Sequence, residues 1–317
     1  IFGTLLIFTL VLLNFRYDLD EDFLSNVLPS IGLYAFAAIR LKPAVQVIFS
    51  GVTGLRYGRN IIDNYAGYVT KSDTQIVERK IHDREFMFKN SLVLKDVCFS
   101  YEGSENLVFN CLNVNIKQNT VVGVIGATGV GKTTFVDILL GLLKPSNGDV
   151  LIDGVNLNAV GLQNWHKAVG YVPQETIIHD LTIRENIALG VPVELIDEKR
   201  LIKCSRSAQI YDFINETNEG FDTILGDRGS RLSGGQKQRI GIARALYFDP
   251  DILVFDEATS ALDHAVEARL LTSITGLAKK KTIIMVAHRH ITLKNCDQIL
   301  ELSSDGVRKL SYQDLEL

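Results

Sequence analysis

Gly126-Ala127-Thr128-Gly129-Val130-Gly131-Lys132-Thr133 has the spacing GxxxxGK[ST], and its flanks decide how it is read. An apolar run from Val121 to Ile125 leads in. A helical run with Phe135, Val136, Ile138, Leu139 and Leu140 leads out, with Thr134 between. A strand, a glycine-rich turn and a helix are what a phosphate-holding loop requires. Glycines let backbone N–H groups wrap an anion with no Cβ in the way, and the helix turns its positive dipole end toward it. Lys132 then reaches the β- and γ-phosphates of a nucleotide, and the Thr133 hydroxyl can ligate Mg²⁺. A chance glycine-rich turn would lack both flanks.

From Ser91 onward, short runs rich in Val and Ile alternate with helical ones: LVLKDVCFSY, TVVGVIG, DVLIDG, AVGYVP, DILVFDE and KTIIMVAH. Nearly continuous apolar runs of this length suit strands buried on both faces of a mostly parallel sheet. One of them, Ile252 to Glu257, ends in two carboxylates. Asp256 can hold Mg²⁺ there, directly or through water, and Glu257 is placed to polarise an attacking water. An acidic pair at a strand end is often only solvated. Following a phosphate loop in the same domain, it is read as chemical.

Leu232-Ser233-Gly234-Gly235-Gln236 is a second glycine-rich anion site at a helix start, with a hydroxyl at Ser233 and a backbone N–H at Gly235. With the features above, it makes residues 91–317 resemble the nucleotide-binding domain of ATP-binding cassette (ABC) proteins. The resemblance implies an α/β P-loop NTPase cassette: a mostly parallel sheet core, an antiparallel β subdomain and an α-helical signature subdomain. It also implies roles. Tyr101 stands where the family stacks an aromatic ring on adenine. Gln174, in Gly170-Tyr-Val-Pro-Gln174, resembles the glutamine that touches Mg²⁺ and reports to the membrane helices. Ser260-Ala-Leu-Asp263 resembles the loop crossing the dimer interface, and His288 the histidine at the γ-phosphate. Singly, a Tyr is usually core, a Gln surface and a His structural; six elements in family order are not. Two such cassettes close head-to-tail over two ATP molecules, so a second half, identical or a close paralogue, is implied as partner. Asp227 stands where the family more often has Glu, and Thr128 and Val130 where it often has Ser. None of these changes removes a phosphate contact.

The first 55 residues are of another kind. Ile1 to Leu13 carries no charge but is shorter than the roughly 20 residues of a spanning helix. It is expected to be a truncated membrane helix, since a signal peptide would begin with a basic stretch. An acidic link, Asn14 to Asp22, follows, and then a largely apolar run from Phe23 to Ser50 whose only charges are Arg40 and Lys42. Arg56, Arg59 and Lys71 come after it, which places that end on the cytoplasmic side. The expected division is 1–70 for the end of a membrane domain, with a second helix at about 23–55 and its cytoplasmic extension, 71–90 for a linker, and 91–317 for the cassette.

Fusion in the order membrane-then-cassette resembles exporters. By that resemblance residues 1–55 are the last two of six helices. The chain is 317 residues long and begins with Ile, so it is read as a piece of a longer protein. A soluble cassette ATPase and a degenerate, inactive cassette are the alternatives. The helices oppose the first, and Glu257, His288 and an intact signature oppose the second. Leu33 to Pro43 and Leu55 to Gly58 look like the final helix of bacterial flippases for lipid-linked oligosaccharides, which places the protein in a bacterial inner membrane, among lipid, with its cassette in the cytoplasm. Arg40 would then line the pathway and meet an anionic lipid-linked head group, for which a guanidinium is suited. Snorkelling to the inner interface is its other reading. Drug and peptide exporters remain alternatives.

Composition sets outer limits. The hydrophobic fraction is 46%, which excludes a disordered chain. The net charge of −4 offers no basic field for nucleic acid, and none is expected as partner. Four cysteines, Cys98, Cys111, Cys204 and Cys296, contain no CxxC pair and suit a reducing compartment.

Overall fold

Ile252-Leu-Val-Phe-Asp256 is buried at every position because alternate side chains enter different cores. Ile252 and Val254 pack with Leu94, Ile116 and Phe135, whereas Leu253 and Phe255 pack with Ile183, Leu201 and Ile240. The strand Thr282–Val286 divides in the same way, with Ile284 and Val286 in the first core and Ile283 and Met285 in the second. Period-two alternation in a strand covered on both faces demands apolar side chains throughout. This explains the unbroken runs in the sequence.

The computed structural model describes residues 21–73, 86–104, 106–259, 262–287, 290–303 and 306–315. The chain divides into two units, Ile1–Asp83 and Arg84–Leu317. In the second, the described strands in chain order are β1 (Ser91–Phe99), β2 (Phe109–Lys117), β3 (Val121–Gly126), β4 (Asn147–Ile152), β5 (Val155–Asn156), β6 (Val169–Val172), β7 (Ile252–Asp256), β8 (Thr282–Val286), β9 (Gln298–Ser303) and β10 (Gly306–Leu310). They form a six-stranded sheet of order β10-β9-β3-β8-β7-β6 and a four-stranded sheet of order β2-β1-β4-β5. The larger sheet is parallel from β9 to β6 and antiparallel only at β10; the smaller is antiparallel throughout.

The expected fold class is the one observed. All six anticipated strands are present, as β1, β3, β4, β6, β7 and β8. Four strands were not anticipated. β2 (FNCLNVNIK) buries Phe109, Leu112, Val114 and Ile116 but exposes the polar residues between them. Its clean alternation is the signature of a half-buried strand. β5, β9 and β10 are short and carry weaker signals. Helices occupy the stretch between β6 and β7, among them Ile183–Ile187, Glu198–Ser207, Tyr211–Glu216 and Gly234–Tyr247. Their apolar faces build the second core.

The N-terminal unit contains one described helix, Glu21–Asp73. Its described part begins two residues ahead of the expected position. It continues to Asp73, three residues into the expected linker. Its segment Gly32–Arg59 is long and apolar enough to cross a membrane. Pro43 lies within that segment and cannot donate to the carbonyl of Ile39. The apolar run Ile1–Leu13 and linker residues 74–85 lie outside the described residues.

The cassette core reaches back past β1. Phe88 is buried against it, and Phe86 meets the indole of Trp165 edge-on at 6.4 Å. Asp153, in the turn between β4 and β5, fastens this lead-in strand. Its carboxylate accepts backbone N–H bonds from Lys89 (2.8 Å), Asn90 (2.7 Å) and Ser91 (2.9 Å). Replacing Asp153 with Ala is expected to destabilise the fold by roughly 2 kcal/mol, the net worth of a few partly exposed charge-assisted bonds. A urea titration of the full chain against wild type checks this; an unchanged midpoint would show that the clamp contributes nothing.

Candidate nucleotide site

Parallel pairing brings the ends of β3, β8, β7 and β6 to one edge of the sheet. Val124 of β3 lies beside Val286 of β8, and Val286 beside Asp256 of β7. Val172 of β6 lies beside Phe255. The segments that leave these strands are therefore neighbours, although Gln174 and Glu257 are 83 residues apart in sequence. They are the glycine loop after β3, Glu257 after β7, Ala287 after β8 and Gln174 after β6. Two backbone bonds extend the ladder at this edge: Glu257 N–H donates to Val286 O and Ala287 N–H to Val124 O, both at 3.1 Å.

The glycine loop wraps its own lysine. The Lys132 ammonium donates to the carbonyl oxygens of Gly126 (2.9 Å) and Ala127 (3.2 Å), and the residue is buried. Gly131 takes φ +101, and a Cβ there would come within 2.6 Å of Val108. Gly129, at φ +81, has nothing within 4 Å of a would-be Cβ. One glycine is thus demanded by packing beneath the loop, while the other stands on its open side. That concave, backbone-lined surface fits a phosphate group. Thr133, in the first turn of the helix Lys132–Leu139, is exposed, as is Thr128 on the loop, whereas Val130 is half-buried.

Thr134 is buried, and its hydroxyl pairs with the Tyr101 hydroxyl at 2.8 Å. The Tyr101 ring packs edge-on to Phe99 at 5.0 Å and remains 48% exposed, so one face is open to a ligand. The aromatic residue after β1 is tied in this way to the first turn of the loop's helix.

The carboxylates occupy unlike environments. Asp256 is only 5% exposed. Burial, followed by the neighbouring charges of Glu257 and Asp137, holds its carboxyl above the usual range, with Lys132 acting against them. The Tyr171 hydroxyl is pushed up to about 12, chiefly by burial and then by the charge of Asp256 close to it. Glu257 sits at φ +50, a left-handed conformation uncommon for a residue with a side chain. Such strain is typical of sites where side-chain direction matters. The Gln174 amide donates to the Glu257 carboxylate at 3.2 Å.

Tyr171 and Asp137 were not singled out in the sequence. Tyr171 lies within the quoted Gly170–Gln174 run, and Asp137 lies on the helix after the loop. Only the tertiary structure shows that both approach Asp256.

The signature segment is built on other elements. Ser233 caps the helix Gly234–Tyr247 through a reciprocal pair: its Oγ accepts from Gln236 N–H (3.3 Å), and its N–H donates to Gln236 Oε1 (2.7 Å). Gly234 and Gly235 form the first turn. This helix packs on Glu198–Ser207, Ile183–Ile187 and β6. Asp263 caps the helix His264–Thr275 by accepting from Val266 N–H at 2.9 Å. His288, Ser260 and Ala261 lie outside the described residues. Arg40 belongs to the N-terminal unit and is exposed there.

Residues 109–260 match the family described as ABC transporter. The chain carries an ABC transporter ATP-binding domain. This ABC domain belongs to an ATPase family and binds ATP. The chain is 40% identical over 245 residues to the leukotoxin translocation ATP-binding protein LktB of Mannheimia haemolytica, and equally to that of Bibersteinia trehalosi. The alignment covers 76% of this chain and 34% of the relative, so the chain spans about a third of the length of these curated relatives. Among solved structures, it is similar to a bacterial Atm1-family ABC exporter with ATP bound, at 34% identity and a TM-score of 0.68. That match covers 73% of this chain and 40% of the exporter.

A side chain at position 131 would meet both an unfavourable φ and the wall formed by Val108 and Phe109. Gly131→Val is expected to weaken nucleotide binding roughly tenfold or more, from about 1–3 kcal/mol of backbone strain alone. Fluorescent-nucleotide titration checks this; unaltered affinity would contradict the cradle described here.

Proposed function

We propose that this chain is part of one half of an ATP-driven membrane exporter, working with a second copy or a close paralogue. The observation that carries the reading is the convergence of the Lys132 loop, Asp256, Glu257 and Gln174 at one sheet edge, in a chain that also holds the span Gly32–Arg59. Similarity to an ABC exporter and to leukotoxin translocation proteins supports it.

In this reading Lys132 and the loop N–H groups hold the β- and γ-phosphates of ATP, and the open face of Tyr101 receives the base. Thr133, Asp256 and Gln174 are the residues that would hold Mg²⁺. The chemistry of the set fits, because the buried Asp256 carries an unfavourable negative charge next to Glu257 and Asp137, which a divalent cation relieves. The cation supplies charge neutralisation on the phosphates. Glu257 orients the attacking water, and His288, two residues after β8 in sequence, is the residue that meets the γ-phosphate. Ser233, Gly234, Gly235 and Gln236, with Asp263, serve the nucleotide of the partner cassette. A chain with one copy of each half requires such a partner.

Lys132→Ala and Glu257→Gln are each expected to reduce ATP turnover about a hundredfold or more, typical for removing a phosphate clamp or a water-orienting group. Full turnover in both variants would overturn the site assignment.

For the cargo, we propose an anionic lipid-linked molecule, in the inner membrane of a bacterium, met by Arg40. Counted from Phe23, where the apolar run begins, Arg40 lies 17 residues along, about 26 Å of helix. This is in the inner part of a hydrocarbon layer of about 30 Å, where a charge generally faces a cavity or a partner or snorkels to the interface. The likeness to leukotoxin translocation proteins favours a second reading, a polypeptide cargo. Arg40→Ala in the full-length transporter is expected to cut glycan-lipid flipping in proteoliposomes while leaving basal ATP turnover intact. Unchanged flipping would dismiss the lipid cargo.

A further inference from the structure

The antiparallel pair β1/β2 ends close to the nucleotide site, and two cysteines face each other across it. Cys98 and Cys111 lie between the paired positions Val97/Leu112 and Phe99/Phe109, where the ladder shifts register. Their sulfurs are 3.9 Å apart, and the Cys111 N–H donates to the Cys98 sulfur at 3.4 Å. Cys111 is exposed on the terminal strand of its sheet, and Cys98 is half-buried beside it. A disulfide requires an S–S separation of about 2.05 Å; the register shift at this point of the ladder already leaves the two sulfurs 3.9 Å apart. Side-chain rotation and a small approach of the strands close the gap.

The other two cysteines differ in access and in company. Cys204 is buried and Cys296 half-buried, and burial pushes both thiols up to about 12. The Cys111 thiol is also raised, but by its hydrogen bond with Cys98, and it stays exposed to an oxidant.

What lies beside the pair gives it meaning. Phe99 follows Cys98 directly and packs against Tyr101. Its partner Phe109 is buried, and its ring lies within 3.0 Å of a would-be Cβ on Gly131. Drawing the two sulfurs together moves the strand ends that support the adenine-facing ring and the floor of the phosphate loop.

We propose that Cys98 and Cys111 are a redox-modification site: a dithiol that forms a reversible intramolecular disulfide and, when oxidised, weakens nucleotide binding. It rests on the nucleotide site described above, but its thiol chemistry can be read without nucleotide. With a small-molecule disulfide such as oxidised glutathione as oxidant, one cysteine thiolate attacks it and releases one glutathione thiolate. The second cysteine, deprotonated, attacks the protein sulfur of the mixed disulfide and expels the other glutathione. Two protein thiols lose two electrons and two protons, and one glutathione disulfide becomes two thiols.

The test treats the full chain with oxidised glutathione, blocks remaining thiols with an alkylating agent, and determines intact mass and cross-linked peptides. The expected result is loss of two hydrogens, a Cys98–Cys111 peptide pair, and reversal by dithiothreitol. Neither appears in Cys98→Ser, which keeps a small polar side chain in the bulge. Nucleotide titration of the same samples is expected to show affinity lower by about threefold or more after oxidation, within the worth of a stacked aromatic contact, and no oxidant effect in Cys98→Ser. Stable glutathione adducts, an intermolecular cross-link or another cysteine pairing would overturn the proposal, as would a Cys98–Cys111 bond with unchanged affinity. If reduced protein bound no nucleotide, the site assignment would fail while the mass result still judged the thiol pair.

Discussion

Parallel pairing of β3 with β8, β8 with β7 and β7 with β6 is the constraint on which the site depends. Parallel strands all end at the same edge, so whatever follows each one is delivered to a common rim. The glycine loop, Glu257 and Gln174 are remote in sequence and adjacent for this reason alone. The same pairing buries the strands on both faces and compels the apolar runs that announce them.

At that rim, charge is concentrated where water is scarce. Lys132 and Asp256 are both buried, and Asp137 and Glu257 crowd Asp256. An arrangement of this kind is costly for an empty scaffold and favourable for a site that receives phosphate and a divalent cation. Gln174 donates to Glu257, while Asp256 is buried near Tyr171, so the two carboxylates sit in unlike environments. The signature, by contrast, caps a helix of the second core. The chain therefore carries two glycine-rich helix starts on different supports, which is the physical reason for the two-cassette proposal.

Much of this was legible beforehand. The strands β3, β7 and β8, the loop and the two carboxylates carry strong local signals: unbroken Val/Ile runs, glycines at fixed offsets, and acids at a strand end. β1 and β4 showed as strands too, but they lie in the antiparallel sheet and are partly exposed rather than buried on both faces. β2 was legible too, through its alternation, but its Asn-rich face masked it among the apolar runs. Other features had no local signal. The Tyr101–Thr134 bond joins residues 33 apart, and Tyr171 looks like an ordinary strand residue until β6 is set beside β7. Cys98 and Cys111, 13 residues apart with no metal-like spacing, were read only as evidence of a reducing compartment.

Sequence by itself determined the residues on offer: a glycine-rich loop with Lys132, two carboxylates at a strand end, a second glycine-rich helix start and an apolar N-terminal run. Each is set by residue type and short spacing, because backbone freedom at glycine and the termini of helices and strands are local properties. Tertiary structure decided which of these act together. Strand order and register placed Asp256 against Tyr171, Gln174 against Glu257, Tyr101 against Thr134, and one cysteine across from the other. Those contacts depend on which strands pair, which is settled by burying two cores at once rather than by any short stretch of sequence.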